Sequence, residues 1–275
     1  MLAGSSEACI HPLAIAGFSR SNSLTTSSND HPERASRPFE RSRDGFVIGE
    51  GAGVLLLESY DHAKARGALD VDSSAKGKIY AEIVGWGSTS DAHHITSPPA
   101  SGEGALRAMR AAVDRAGIHP GEIGYINAHA TSTKLGDMAE IQSIRSLLSN
   151  PSSSSSSANS QINQSVAISS FKGHIGHLLG AAGSVETIWT ALAIKHGIAP
   201  PTRNLVDLDP GMAQADAVAN ESGRDTDILN FVTAKGGEVM KGEGKGKGNG
   251  MEYALKNSFG FGGTNASLLL RRWEE

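Results

Sequence analysis

Three short stretches of this chain place polar side chains at the ends of apolar runs. They read NAHATST (127–133), FKGHIGHLLGAAG (171–183) and NSFGFGGTN (257–265). Each run has the composition of a strand, and an α/β enzyme assembles its site from the loops at strand ends. Because the stretches carry imidazole and ammonium groups beside small hydroxyl residues and glycines, they predict one shared site for acid–base or electrostatic chemistry.

The histidines permit more than one interpretation when each is taken alone. His129 leaves a strand for a turn of small hydroxyl residues, where an imidazole can reach a substrate, although a core histidine bonded to backbone is the more frequent case. His174 and His177 form an HxxH pair with metal-ligand spacing, but no HExxH pattern is present. Such a pair is more often structural or catalytic than zinc-binding. His93 and His94 are adjacent and indicate a polar loop.

Composition excludes several classes of function. The 275 residues include 25 Lys and Arg against 29 Asp and Glu, a net charge of −4 that offers nucleic acid or anionic lipid no basic excess. The one cysteine, Cys9, has no partner for an internal disulfide, and the opening MLAG lacks the pattern of a secretory leader. The longest apolar segment, 178–198, contains Glu186 and Lys195, which favours a buried core helix over a membrane span.

Strand and helix patterns alternate along the chain. Strands are predicted at 49–58 (after glycines, and buried), from Lys78, at 125–128, 166–170, 253–259 and 266–270. Helices are predicted at 103–116, around Ile141, Ile144 and Leu148, and at 178–198. This alternation predicts a layered α/β fold with largely buried strands.

Two segments are too polar to order themselves and are expected to be flexible surface insertions, 149–164 and 235–250. The second is rich in glycine but lacks the GxxxxGK[ST] pattern of a phosphate loop. GEGAGV at 49–54 likewise misses the third glycine of a dinucleotide fingerprint, because Val54 occupies that position.

Taken together and in order, the three polar stretches resemble the elongating β-ketoacyl-acyl carrier protein synthases of the thiolase-like superfamily. Flanking segments agree, among them ASRPFERSRDGFVIGEGAGVLLLE, SDAHHITSPP and APPTRNL. The resemblance implies a thiolase-like layered αβαβα fold whose C-terminal half is complete and whose N-terminal half is truncated. Residues 1–77 would then be the remnant of the first half, and 78–275 the second half with the two insertions.

The resemblance also implies roles for particular residues. His129 and His177 match the two histidines that form a catalytic triad with a cysteine in the family. Lys172 matches the active-site lysine, and Glu140 the carboxylate expected to pair with it. Phe261 matches a gating phenylalanine whose backbone N–H helps form an oxyanion hole.

Substrate-binding positions follow from the same resemblance. Thr131 and Thr133 match threonines that contact a phosphopantetheine arm, and Thr96 and Ser97 are expected to do likewise. Gly260 and Gly262 allow close backbone approach to the acyl oxygen and let the phenylalanine between them move. No metal and no cofactor is implied.

The implied activity belongs to fatty-acid biosynthesis: an acyl group moves to cysteine, malonyl-acyl carrier protein loses CO2, and the enolate attacks the thioester. The implied partner is acyl carrier protein bearing phosphopantetheine thioesters, and the family is homodimeric. The family's nucleophile lies upstream of the matching segment and is not Cys9, so we expect no condensation by this chain alone. Phe171, where a threonine is usual, is expected to crowd the site.

Other functions stay open at this point. A pseudoenzyme or fragment that binds acyl carrier protein, a degradative thiolase and a polyketide-synthase ketosynthase domain are the alternatives, although a degradative thiolase carries a second cysteine near its C terminus. A soluble protein of the mitochondrion, the plastid or the bacterial cytoplasm is expected. Acyl chain length is undetermined by sequence.

Overall fold

The computed structural model describes residues 1–69, 79–149, 165–213, 228–233, 238–239 and 251–274. The two segments interpreted as insertions, 149–164 and 235–250, lie outside the described residues except for Ser149 and a two-residue strand. The prediction that they are flexible therefore stays a prediction.

The first half of the described chain contains four strands and four helices: β1 (Leu2–Glu7), α1 (Pro12–Arg20), β2 (Gly51–Leu56), α2 (Tyr60–Ala65), β3 (Ala81–Ser90), α3 (Glu103–Ala116), β4 (Ile123–Asn127) and α4 (Lys134–Ser149). The remainder comprises β5 (Val166–Ser169), α5 (Lys172–Ile175), α6 (Ala182–His196), β6 (Ile198–Ala199), α7 (Pro210–Ala213), β7 (Leu229–Phe231), β8 (Glu238–Val239), β9 (Tyr253–Gly260) and β10 (Thr264–Arg272). Each predicted strand and helix is present within four residues of its expected bounds. The elements that were not predicted are β1, α1, α2, α5, β6, α7, β7 and β8.

A six-stranded mixed sheet forms the centre of the fold, in the order β3-β10-β9-β4-β5-β7. β3, β10 and β9 pair antiparallel, and β9, β4, β5 and β7 pair parallel. The carboxyl ends of β4, β5 and β9 therefore meet at one edge. These are the strands that lead into the three polar stretches, so the topology brings the stretches together.

The two faces of this sheet bury different cores because alternate side chains of a strand point to opposite sides. On β4, Ile126 packs with residues of α3 and α4 such as Met109 and Ile141, whereas Tyr125 packs with Ile194 of α6 on the other face. All five are fully buried. Each such aliphatic or aromatic side chain contributes about 1.5–3 kcal/mol when it leaves water.

Glycines let α3 approach the sheet closely. A Cβ at Gly87 of β3 would lie 1.9 Å from the carbonyl oxygen of Ala108, and one at Gly85 would lie 2.0 Å from that of Ala112. Carbonyl oxygens of the helix therefore occupy the space of two side chains. The helix ends as predicted, because Gly117 has the left-handed φ of 68° that terminates helices.

β1 and β2 form a separate antiparallel ribbon that packs on the far side of α6. Gly53 faces α6, where an added Cβ would lie 3.0 Å from Val185 N. The opposite face is open: Val54 is 63% exposed and Leu56 66%. The prediction of a buried strand at 49–58 is thus wrong in its burial, since nothing in the described chain covers this outer face. The described layers run helix, sheet, helix, ribbon, which confirms the layered α/β expectation.

The segment predicted as one helix over 178–198 is divided. Leu179 has a positive φ of 45°, a one-turn 3-10 helix covers Leu179–Ala181, and α6 begins only at Ala182. A non-glycine residue in the left-handed region interrupts helical hydrogen bonding, so the motif GHLLG forms a turn. In the part of the chain that the structure describes, no helix combines the length and apolar character needed to cross a bilayer.

Candidate active site

The three polar stretches line one cavity of about 890 Å³. Most of the residues proposed from sequence are on its wall: Thr96, Ser97, His129, Thr131, Thr133, Glu140, His177, Gly260 and Phe261. Lys172 lies behind the wall rather than on it, and Gly262 is also outside the lining. The fold therefore brings together side chains that are up to 165 residues apart in sequence, from Thr96 to Phe261.

His129 is fixed by a carboxylate beneath its loop. Glu140 of α4 accepts hydrogen bonds from the backbone N–H groups of His129, at 2.9 Å, and Ala130, at 2.7 Å. Two residues later, Ser132 adopts a φ of 74°, and Asp137 accepts its N–H at 3.1 Å. A non-glycine residue in this region costs about 1–3 kcal/mol. The loop after β4 is therefore held by side chains of α4 in a conformation it does not favour alone.

His177 is fixed through its backbone by the segment that precedes β2. Its N–H donates to the Val47 oxygen at 2.7 Å, and its own carbonyl accepts from Gly49 N–H at 2.9 Å. A Cβ at Gly49 would lie 2.4 Å from the Ile175 oxygen, so this close pairing requires glycine there. Residues from the first quarter of the chain thus set the position of a histidine far downstream.

The imidazole rings of His129 and His177 lie 5.3 Å apart, centre to centre, with their planes at 83°. Phe46 packs edge-on against His177 at 5.4 Å, and Phe259 against His129 at 5.8 Å. His177 Nδ1 accepts the Leu179 N–H at 3.2 Å, which assigns the proton of the neutral ring to Nε2. The pair therefore presents at least one N–H donor inside an apolar enclosure.

Burial and nearby lysines keep both rings neutral. Desolvation lowers the pKa of His129 well below its ordinary value, and the charge of Lys172 lowers it further. The pKa of His177 is lowered well below normal by the same two causes, in the same order. A neutral imidazole keeps one N–H, which can donate a hydrogen bond to an oxyanion.

The expected pairing of Lys172 with Glu140 is wrong. Lys172 Nζ bonds Glu186 Oε1 of α6 at 2.5 Å, and both side chains are 1% exposed. Glu140 instead accepts three N–H donors, the third from Asn257 at 3.0 Å. Burial raises the pKa of Glu140, and these donors oppose the rise. Glu140 therefore organises the His129 loop, while Glu186 compensates the lysine charge.

The threonines and the 94–97 loop form the polar part of the wall. Thr131 Oγ1 and Thr133 Oγ1 lie 3.1 Å apart and share a hydrogen bond. His94 Nδ1 accepts the N–H groups of Thr96, at 3.1 Å, and Ser97, at 3.2 Å. The loop interpretation of His94 is thus confirmed, and its ring shapes the wall beside the hydroxyl groups.

Phe261 is at the tip of the β9–β10 turn and is 51% exposed, with its ring 6.4 Å from that of Phe18. Gly262 and Gly263 have φ values of 84° and 76°, which only glycine adopts readily. Gly262 N–H is bound to the Ile95 oxygen at 2.6 Å. The turn is therefore anchored beside the phenylalanine, whose ring is free of close packing.

Phe171 does not crowd the cavity. Its buried ring packs on Trp189 of α6 at 4.1 Å and stacks on His174 at 5.3 Å, outside the cavity lining. His174 is exposed, its Nε2 contacts the Pro201 oxygen at 2.8 Å, and it is not part of the cavity lining. Cys9 is half-buried and also outside the lining.

Two charged residues of the site were missed from sequence. Glu186 was noted only as a charge inside an apolar segment, and Lys256 not at all. Both are buried, and Lys256 Nζ lies 3.3 Å from Glu186 Oε2. The available signal was a charged residue inside a predicted core element, since such groups are buried only when paired.

Comparison with known families agrees with the ordering of the motifs. The model of the β-ketoacyl synthase N-terminal domain matches residues 1–63, and that of the β-ketoacyl synthase C-terminal domain matches residues 80–206. Between β1 and α6, the described residues that neither match covers are 64–69 and 79.

Curated relatives have high identity. The chain is 46% identical over 269 residues to the mitochondrial 3-oxoacyl-[acyl-carrier-protein] synthase of Arabidopsis thaliana, covering 98% of the chain and 49% of that protein. It is 44% identical over 275 residues to 3-oxoacyl-[acyl-carrier-protein] synthase 2 of Vibrio harveyi, covering 100% and 55%. The chain spans about half the length of these relatives.

Solved structures show the same fold. A β-ketoacyl synthase from Burkholderia phymatum superposes with a TM-score of 0.76 at 36% identity, covering all of this chain and 55% of the other. A ketosynthase in complex with its type II PKS acyl-carrier protein and bound to the hexaketide gives 0.77 at 32%, covering 100% and 56%. By its motifs, its matched domains and this thiolase-like fold, the chain belongs to the β-ketoacyl synthase family.

Proposed function

We propose that this chain supplies the malonyl-decarboxylating part of a 3-oxoacyl-[acyl-carrier-protein] synthase of fatty-acid biosynthesis. The observation that carries the proposal is the pair of neutral, buried imidazoles 5.3 Å apart on the wall of a cavity. The similarity of the chain to the two 3-oxoacyl-[acyl-carrier-protein] synthases named above supports the proposal. Residues 1–77 and 78–275 are proposed to be parts of the first and second halves of that enzyme.

The imidazoles act on the charge that forms when CO2 leaves. Cleavage of the bond between the malonyl carboxylate and the α-carbon leaves its electron pair on the α-carbon and the thioester oxygen. N–H donors on His129 and His177 stabilise this enolate, and removing one such donor raises the barrier by about 3–4 kcal/mol. The apolar walls formed by Phe46 and Phe259 exclude water that would protonate the carbanion.

Condensation then needs an acyl thioester on cysteine. The enolate carbon attacks the acyl carbonyl, a carbon–carbon bond forms, and the thiolate leaves. The Phe261 N–H, in a turn rich in glycine, is proposed to stabilise the acyl oxyanion. Cys9 lies outside the cavity lining, so the nucleophile must be supplied by the part of the family sequence that this chain does not match.

The partner is proposed to be acyl carrier protein with a phosphopantetheine thioester. Thr131 and Thr133 offer hydroxyls on the cavity wall at the spacing of one hydrogen bond, and Thr96 and Ser97 lie on the same wall. Hydroxyl groups suit the amides of the pantetheine arm, since each can donate and accept.

The test uses a protein in which this chain is joined to the segment carrying the family's cysteine. His129→Ala and His177→Ala should each abolish CO2 release from malonyl-acyl carrier protein, while cysteine acylation, followed by mass spectrometry, continues. His174→Ala is the matched control, because that ring is exposed three residues away. Loss of decarboxylation in His174→Ala with retention in His177→Ala would contradict the assignment.

A second function is favoured by the position of Cys9. Because that thiol is outside the cavity and burial raises its pKa, it is a poor nucleophile. Alone, the chain would then bind acyl carrier protein without condensing its cargo. Calorimetry should detect binding of malonyl-acyl carrier protein, and mass spectrometry should detect no β-ketoacyl product; this combination distinguishes the binding function from catalysis. A ketosynthase of polyketide assembly would instead accept ketide thioesters.

A further inference from the structure

Lys256 is a second buried cation behind the cavity. It belongs to β9, is 2% exposed, and directs its Nζ toward Glu186 Oε2 at 3.3 Å. The same Nζ donates a hydrogen bond to the hydroxyl of Ser258, which lies on the cavity wall. Glu186 thus has one ammonium group on each oxygen, Lys172 on Oε1 and Lys256 on Oε2.

The charges of this cluster balance only when Lys256 is included. By residue type, the cluster holds two lysines, Lys172 and Lys256, and two glutamates, Glu186 and Glu140. Three N–H donors favour the ionised form of Glu140, against the burial that raises its pKa. A buried charge is tolerated when it is paired in this way. No further positive charge on an imidazole would find a counter-ion within the cluster.

We propose that Lys256 is a positioning residue of this site: it is the second cation on Glu186, and its positive field keeps the rings of His129 and His177 uncharged. Lys172 performs the same task from α5, so α5 and β9 each supply one cation to Glu186 of α6. The desolvated surroundings let both lysines act on the rings, because the interaction of charges is weakly screened there. Desolvation and the charge of Lys172 lower the pKa of both histidines most, and the charge of Lys256 lowers it further in the same direction.

The rings have a small set of titratable neighbours. These are Lys172 of α5, Glu186 of α6, Glu140 of α4, Lys256 of β9 and, beside Glu186, Tyr125 of β4, with Asp44, Asp91, His94 and Lys134 on the cavity wall. The proposal rests on the function proposed above insofar as the neutral rings act on an enolate. Its test is a titration that needs no catalysis, so the two can fail separately.

The experiment is a pH titration of the 275-residue chain by NMR, with 13C and 15N labels in histidine and lysine. Lys256→Met removes the charge at similar length, and Lys256→Gln also keeps a hydrogen-bond donor for Ser258. Both variants should shift the pKa values of His129 and His177 upward. Lys64→Met, which removes an exposed lysine from α2, should leave both unchanged.

Unchanged histidine titration in either folded Lys256 variant overturns the proposal, as does an equal shift in Lys64→Met. A further measurement uses the unmodified chain and reports the protonation state of Lys256 directly. The Nζ and Cε resonances of Lys256 must show an ammonium group at pH 7. A neutral amine at that pH overturns the proposal even if neither substitution yields a folded protein.

Discussion

The sharing of Glu186 between two lysines predicts an unequal effect of breaking the cluster from its two sides. Glu186→Gln leaves Lys172 and Lys256 buried without a carboxylate between them, and removing one partner of a buried pair costs about 3–5 kcal/mol. Lys172→Met leaves Glu186 with a cation 3.3 Å away. Its expected cost is that of one charged hydrogen bond, about 1.5–3 kcal/mol.

The measurement is the free energy of unfolding from urea titrations at pH 7, analysed by linear extrapolation. Glu82→Gln is the control: it breaks an ion pair with Arg271 whose side chains are 26% and 44% exposed, and it should cost no more than about 1 kcal/mol. Destabilisation by Lys172→Met that equals or exceeds that of Glu186→Gln would refute the shared arrangement.

The free energy of unfolding of the Glu186→Gln variant should depend on pH in a defined direction. Desolvation lowers the pKa of Lys256 in the folded chain, and attraction by Glu186 opposes that effect. In Glu186→Gln the opposition is gone, so the folded pKa lies further below the unfolded value of 10.5. The unfolded state then binds more protons in that window, and the stability of the variant must rise with pH until the unfolded lysine loses its charge. A deficit independent of pH would contradict this account.

Four further substitutions have expected outcomes. Gly87→Ala should lower the free energy of unfolding by about 1–3 kcal/mol, because the new Cβ would lie 1.9 Å from the Ala108 oxygen, whereas Gly17→Ala, with open space around it in α1, should be stabilising by about 0.5–1 kcal/mol. Phe261→Ala is tested in the protein that joins this chain to the segment carrying the family's cysteine. It should slow acylation of the cysteine more than malonyl decarboxylation, as measured by mass spectrometry of samples quenched at successive times. Thr133→Val should raise KM for malonyl-acyl carrier protein with little change in kcat.

The exposed outer face of the β1–β2 ribbon predicts that the chain alone associates in water. Leu2, Val54 and Leu56 are 63–74% exposed along one side of two paired strands. Contiguous apolar surface of this kind is an association hazard in water. Work with the chain alone should therefore include a measurement of its oligomeric state at each concentration used.

Local pattern was sufficient for the longer strands and helices and for most of the candidate residues that line the cavity. The helix at 103–116 was predicted to the residue because its apolar period and terminal glycine are both local signals. His129 and His177 were found because their motifs are short and their order along the chain is distinctive. The apolar run after the glycines also located β2. It did not predict the exposure of β2, because burial depends on what covers a face of the strand rather than on the strand itself.

The sequence by itself determined the class of fold, the family and the two histidines, because each rests on residues near one another in the chain. Only the tertiary structure decided which charges are paired. Lys172 precedes Glu186 by 14 residues and Lys256 follows it by 70, whereas Glu140 lies 32 residues before Lys172. Spacing could not choose between the two carboxylates. Ion pairing is decided by distance in space and by burial, and these arise only when α5, α6 and β9 pack together.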